Sequence, residues 1–162
     1  RAQVGRAILW GFDVSHLDSH LGSLQHRPEF FDVYLDLACE FRLPIRLGGP
    51  DAERAAGFPV RTLAAEEGIT MPDRVVVVRG GPETLLEALD EGTAGVTELV
   101  VEPAVASPEL DAIDPATGPA RVALLDALLR SSGIDDVLAD QGIRRIGYRQ
   151  LRDAQAQEHP TA

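Results

Sequence analysis

The sequence predicts an α/β fold with a mostly parallel sheet. Helical patterns, with apolar residues three and four apart, alternate with short β-branched runs in about five repeats of 20 to 40 residues. Four valines stand together at 75–78, as in parallel strands covered on both faces. Proline and glycine punctuate nearly every change of pattern. A β/α barrel and an open doubly wound sheet both satisfy these observations. The 162 residues suffice for one domain with an appreciable core.

Residues 2–10 carry Val4, Ala7 and Ile8 at helical spacing, and Gly11 can end that helix. Residues 12–17 read as a strand, followed by a loop through Arg27. Pro28 opens the clearest helix, with Phe31, Tyr34, Leu35, Ala38 and Phe41 on one stripe; it should end near Arg42, before Pro44. A short strand is expected at 44–47, and short helices at 51–57 and 61–67. Strands at 74–78 and 97–101 flank a helix at 82–91. Helices at 119–130 and 134–141, a strand at 145–146 and a closing helical turn at 148–154 complete the series. The remainder, 155–162, reads as a flexible tail.

Composition narrows the function. Hydrophobic residues make up 44% and charged residues 25%, which excludes a disordered or fibrous chain. Acidic residues outnumber basic ones 26 to 15, a net charge of −11. A nucleic-acid or anionic-membrane partner needs a basic surface, so neither is expected. No apolar run approaches the roughly 20 residues of a membrane span. All basic residues are arginine, so lysine chemistry such as a Schiff base or a P-loop is excluded. The lone Cys39 forms no internal disulfide and fits a reducing cytoplasm. No Gly-x-Gly-x-x-Gly follows a strand. The chain begins with Arg1, and residues are expected to precede it.

The richest chemistry lies in Ser15-His16-Leu17-Asp18-Ser19-His20. On a strand, His16, Asp18 and His20 share one face. Imidazole and carboxylate together suit zinc, and also magnesium or manganese if water completes the shell. The cluster stands at a strand's C-terminal end, where β/α barrels place their sites.

A helix, then Gly11-Phe12-Asp13, then His16-Leu17-Asp18-Ser19-His20 and the helix beginning at Arg27-Pro28-Glu29 together resemble the YdjC-like carbohydrate deacetylases. The stretches 57–68 (GFPVRTLAAEEG), 97–104 (TELVVEPA) and 144–155 (RRIGYRQLRDAQ) agree. This resemblance implies a distorted β/α barrel related to polysaccharide deacetylases. It implies that 1–154 is the carboxy-terminal portion, lacking the amino-terminal strands. It implies a divalent metal (magnesium or zinc) held by an aspartate of an Asp-Asp-Phe-Gly motif, a histidine of a later His-Leu segment, and His20. Of these, only His20 occurs here. His16 would support the metal site, and Asp18 would orient a ligand or touch substrate. The implied reaction is amide hydrolysis of a small N-acetylated sugar. Where the family has His-Pro, this chain has Glu102-Pro103; an ionised glutamate there disfavours a developing oxyanion. Strand alternation puts Glu102 at a strand exit on the same rim as His20, exposed and ionised.

Two other classes stay open: a non-catalytic binding module on the same fold, and another metal-dependent hydrolase such as a phosphoesterase. Arg46, ending a short strand, either binds substrate or forms an ion pair. Tyr148, Arg149 and Arg152 read as packing residues, and Trp10, Phe30 and Phe31 as core rather than a sugar platform. His26, Glu66-Glu67 and Asp135-Asp136 read as solvated, and His159 as part of the tail. A shortened sheet leaves an open edge that invites homo-oligomers.

Overall fold

The structure, a computed structural model, describes residues 1–91, 94–130 and 133–158. The chain divides into two compact units, Arg1–Arg74 with Ile146–Ala162, and Val75–Arg145.

The first unit opens with helix α1 (Ala2–Leu9), ended by Gly11 at φ +81°. An extended segment follows, then a 3-10 stretch at His20–Gln25. Helix α2 (Pro28–Phe41) begins on proline and buries Phe31, Tyr34 and Ala38. Short helices α3 (Pro50–Ala56) and α4 (Val60–Glu66) follow. Gly57 ends α3 at φ +78°, the left-handed conformation that glycine adopts without penalty. Leu17 and Ile45 form an isolated parallel bridge, and the Ile45 N–H donates to Thr70 O at 3.1 Å. The core gathers Leu17, Phe31, Tyr34, Ala38, Leu43, Ile45, Leu47, Val60, Ala64 and Ile69. Each large side chain removed from water there contributes about 1.5–3 kcal/mol.

The second unit holds a two-stranded parallel sheet of β1 (Arg74–Val77) and β2 (Thr97–Val100), joined by α5 (Pro82–Asp90). Helices α6 (Pro108–Ile113), α7 (Gly118–Arg130) and α8 (Ile134–Asp140) follow. Val78, Leu85, Leu89, Leu124, Ile134 and Leu138 form its own core. Helix α9 (Tyr148–Glu158) returns the chain to the first unit.

Several expectations are corrected. The described residues form a helix-rich α/β arrangement with a small parallel sheet, and no barrel. Of 12–17 and 44–47, only Leu17 and Ile45 pair, so each predicted strand shrinks to a bridge. Residues 145–146 join no strand; Arg145 instead pairs with Asp135 at 2.9 Å. The valine run is not covered on both faces: Val75 and Val76 are half-buried and Val77 is 45% exposed. A two-stranded sheet has too few neighbours to bury such a run. Trp10, expected in the core, is 68% exposed, with the Arg6 guanidinium 5.8 Å from its ring centroid. Phe30 is exposed as well, whereas Phe31 is fully buried. The expected tail does not start at 155, because α9 runs through Glu158 and buries Gln155. His159 lies outside the described residues. No described helix is long and apolar enough to cross a membrane.

Candidate functional site

The segment from His16 to His20 is held from beneath by α2. The buried Tyr34 hydroxyl donates to Leu17 O at 2.7 Å and lies 3.2 Å from Arg46 O. The Arg46 N–H donates to Leu17 O at 2.9 Å, and Gln25 Nε2 donates to Arg46 O at 3.1 Å. Leu17 and Ser19 are buried, whereas Asp18 and His20 are exposed and His16 is half-buried. This is the alternation of an extended segment with one face in the core, so the three polar residues occupy the other face.

Each of the three nevertheless has its own surroundings. Asp18 pairs with Arg46 at 3.0 Å, at a partly exposed position. The His16 ring stacks on Tyr148, with centroids 3.8 Å apart and planes at 10°, and its Nδ1 lies 3.1 Å from Ser15 Oγ. His20 opens the 3-10 stretch, with its imidazole in solvent. Ser19 fixes that turn: its buried Oγ accepts the Leu24 N–H at 2.8 Å. Leu21 at φ 55° and Gly22 at φ 66° bend the backbone immediately afterwards. Among the described residues no three His, Cys, Asp or Glu side chains are grouped to hold a metal ion. The trio shares a face, and two of its members have partners of their own: Asp18 pairs with Arg46 and His16 stacks on Tyr148.

Glu102 belongs to the second unit, past the end of β2, with its side chain in water. Its backbone carbonyl accepts from Arg121 Nε at 2.8 Å. His26, Glu66, Glu67, Asp135 and Asp136 are exposed, as expected.

Sequence reasoning assigned α9 to packing and missed how closely it holds the motif. Asp13 accepts from Arg149 Nε at 2.7 Å and from Arg152 Nη1 at 2.5 Å, and Arg152 Nη1 also reaches Val14 O at 3.0 Å. The Arg152 hydrogen bond, then that of Arg149, holds the Asp13 carboxyl below the usual carboxylate range. Arg152 is pushed up in turn, chiefly by its bond to Asp13. Further along the helix, Gln155 Oε1 accepts the Thr70 N–H at 2.6 Å. The only sequence signal was the spacing of Tyr148, Arg149 and Arg152, which shares one helix face.

A separate hollow of about 250 Å³ is lined by Cys39, Arg42, Glu67, Gly68, Ile69 and Gln155. Burial, followed by the Glu67 and Asp36 carboxylates, pushes the Cys39 thiol up, away from a reactive thiolate.

The fold and the braced polar segment define a helix-rich α/β protein carrying a His-x-Asp-Ser-His motif at the end of an extended segment. The model of the YdjC-like protein family matches residues 1–144, and the chain belongs to that family. It is similar to a crystal structure from Enterococcus faecalis V583, named a "putative cellobiose-phosphate cleavage protein", with a TM-score of 0.65 and 22% identity. The match covers 87% of this chain and 54% of that one, so this chain spans about half the length of its structural neighbour. At that identity the likeness shows the fold alone. No curated protein matches the chain.

Proposed function

We propose that this chain forms part of a metal-dependent hydrolase that removes acetyl groups from N-acetylated sugars. The observation that carries the proposal is the His16–His20 motif, in a chain of the YdjC-like family, with its polar residues on the face away from the core. The cellobiose phosphate named for the structural neighbour is in keeping with a carbohydrate substrate and says nothing of an N-acetyl group. His20 is the metal ligand that the family pattern offers here, and magnesium or zinc is the proposed ion. One imidazole does not hold such an ion selectively, so the residues present do not by themselves fit the metal. What this chain supplies is therefore binding and orientation. The Asp18 carboxylate accepts, and the Arg46 guanidinium donates, at one partly exposed spot; both suit sugar hydroxyls and the amide. Glu102, exposed to water, stands in the place of the family histidine and offers a carboxylate where the family has an imidazole.

The test is acetate release from N-acetylglucosamine oligomers by the full protein. The parent should release acetate, and His20→Ala should reduce it by more than the roughly 10–100-fold typical of residues behind a metal ligand. A second reading, a saccharide-binding module, is favoured by the engagement of Asp18 and His16 with Arg46 and Tyr148. Oligosaccharide binding without acetate release would select it. Phosphate release from a phosphorylated disaccharide would select a phosphoesterase.

A further inference from the structure

We propose that Tyr148 is a positioning residue of this site, acting through His16 and making α9 part of the functional centre. The inference rests on the hydrolase reading above for its catalytic consequence, and on geometry alone for its structural part.

A flat imidazole has two side-chain torsions to fix. Stacking on Tyr148 at 3.8 Å, with planes 10° apart, fixes the plane of the His16 ring. Ser15 Oγ, 3.1 Å from Nδ1, distinguishes the two half-turn orientations about the Cβ–Cγ bond. A half-turn of the ring would keep the stack but bring a carbon against the Ser15 hydroxyl. Together the two contacts favour one orientation of the half-buried ring.

The brace is more than one contact. Tyr148, Arg149 and Arg152 lie on one face of α9. They meet His16, Asp13 and both Asp13 and Val14 respectively. The helix therefore grips the strip of chain that leads into Asp18 and His20 along one full helical turn. Gln155, one turn further, ties the same helix to Thr70, whose carbonyl receives Ile45. Ile45 in turn bridges to Leu17, in the middle of the motif. A shift of α9 would reach the motif by both routes.

Stacking needs an aromatic ring and not a phenol, so Tyr148→Phe and Tyr148→Leu separate positioning from bulk. In the full protein, the His16 ring-proton resonances should carry an upfield ring-current shift from Tyr148. Tyr148→Phe should keep this shift and restore acetate release relative to Tyr148→Leu. Tyr148→Leu should lose the shift and lower kcat by about tenfold or more, with KM little changed, as for residues that orient a site from behind. Tyr148→Met serves in place of Tyr148→Leu if circular dichroism shows the latter unfolded. The proposal is overturned if the His16 resonances are unmoved in a folded Tyr148→Leu. It is equally overturned if they move while kcat stays at the parent value. A parent without acetate release would sink the deacetylase reading; the His16 resonances would then decide the positioning role alone.

Discussion

Replacing Tyr34 by Phe removes one oxygen from beneath the motif and leaves the rest of α2 unchanged. The ring is 2% exposed and stays in place, so no cavity forms. What is lost is the 2.7 Å bond to Leu17 O and the 3.2 Å approach to Arg46 O. Neither carbonyl is orphaned, because Leu17 O keeps the Arg46 N–H at 2.9 Å and Arg46 O keeps Gln25 Nε2 at 3.1 Å. The full penalty for a stranded buried acceptor therefore does not apply. The cost is that of one net hydrogen bond, about 1 kcal/mol within a range of about 0.5–1.5. For a chain of this size that lowers Tm by about 2–4 °C. Urea unfolding followed by circular dichroism should show a lower midpoint at unchanged slope. A loss above about 3 kcal/mol would mean that a carbonyl is stranded, and a loss near zero that the hydroxyl prefers water; either refutes the reasoning.

Phe31→Ala should be far worse, at about 3–5 kcal/mol, since the ring is fully buried and lies edge-on to Tyr34 and Phe58 at 6.4 and 5.7 Å; a midpoint shift no larger than that of Tyr34→Phe would contradict this core assignment. Ser19→Ala strands the Leu24 N–H at the turn after His20 and should cost about 1–3 kcal/mol, read by the same unfolding assay. Asp13 titrates lower in the fold than in the unfolded chain, where an aspartate titrates near 3.9. Its pairing therefore stabilises above that value and is lost as pH falls through the lower folded one. Asp13→Asn should flatten this part of the acid limb of the stability curve, and an unchanged acid limb would count against the pairing with Arg149 and Arg152.

Helices were more legible than strands, for a physical reason. A helix announces itself within its own residues: Pro28 at the first turn and the Phe31–Tyr34–Ala38 stripe sufficed for α2. Even α6, which the sequence analysis passed over, carries its signal in Ser107-Pro108-Glu109, and the Ser107 hydroxyl accepts the Leu110 N–H. A strand depends on partners elsewhere in the chain. The valines at 75–78 report β-propensity, but among the described residues only β2 pairs with them, so their burial could not be inferred from the run itself. The motif was legible in the same partial way. Alternation placed His16, Asp18 and His20 on one face, whereas Arg46 and Tyr148, 28 residues from Asp18 and 132 from His16, decide what two of them touch.

The magnitudes separate what holds the fold from what can serve chemistry. The Asp18–Arg46 pair has side chains 41% and 32% exposed, and such pairs stabilise by about 0–1 kcal/mol. The fully buried Phe31 alone outweighs it several-fold. Stability is therefore a weak reason for this pair, and its removal is a clean probe of function. Asp18→Asn and Arg46→Gln should each stay within about 1 kcal/mol of the parent, with a coupling of about 0.2–1 kcal/mol in the double-mutant cycle. Each should weaken oligosaccharide binding, measured by calorimetry on the full protein, because each deletes a charged donor or acceptor at the proposed sugar-facing spot. Unchanged binding with unchanged stability would leave the pair no role and remove Arg46 from the substrate surface. A loss of several kcal/mol in stability would instead show that the pair is structural and that the polar face of the motif is part of the scaffold.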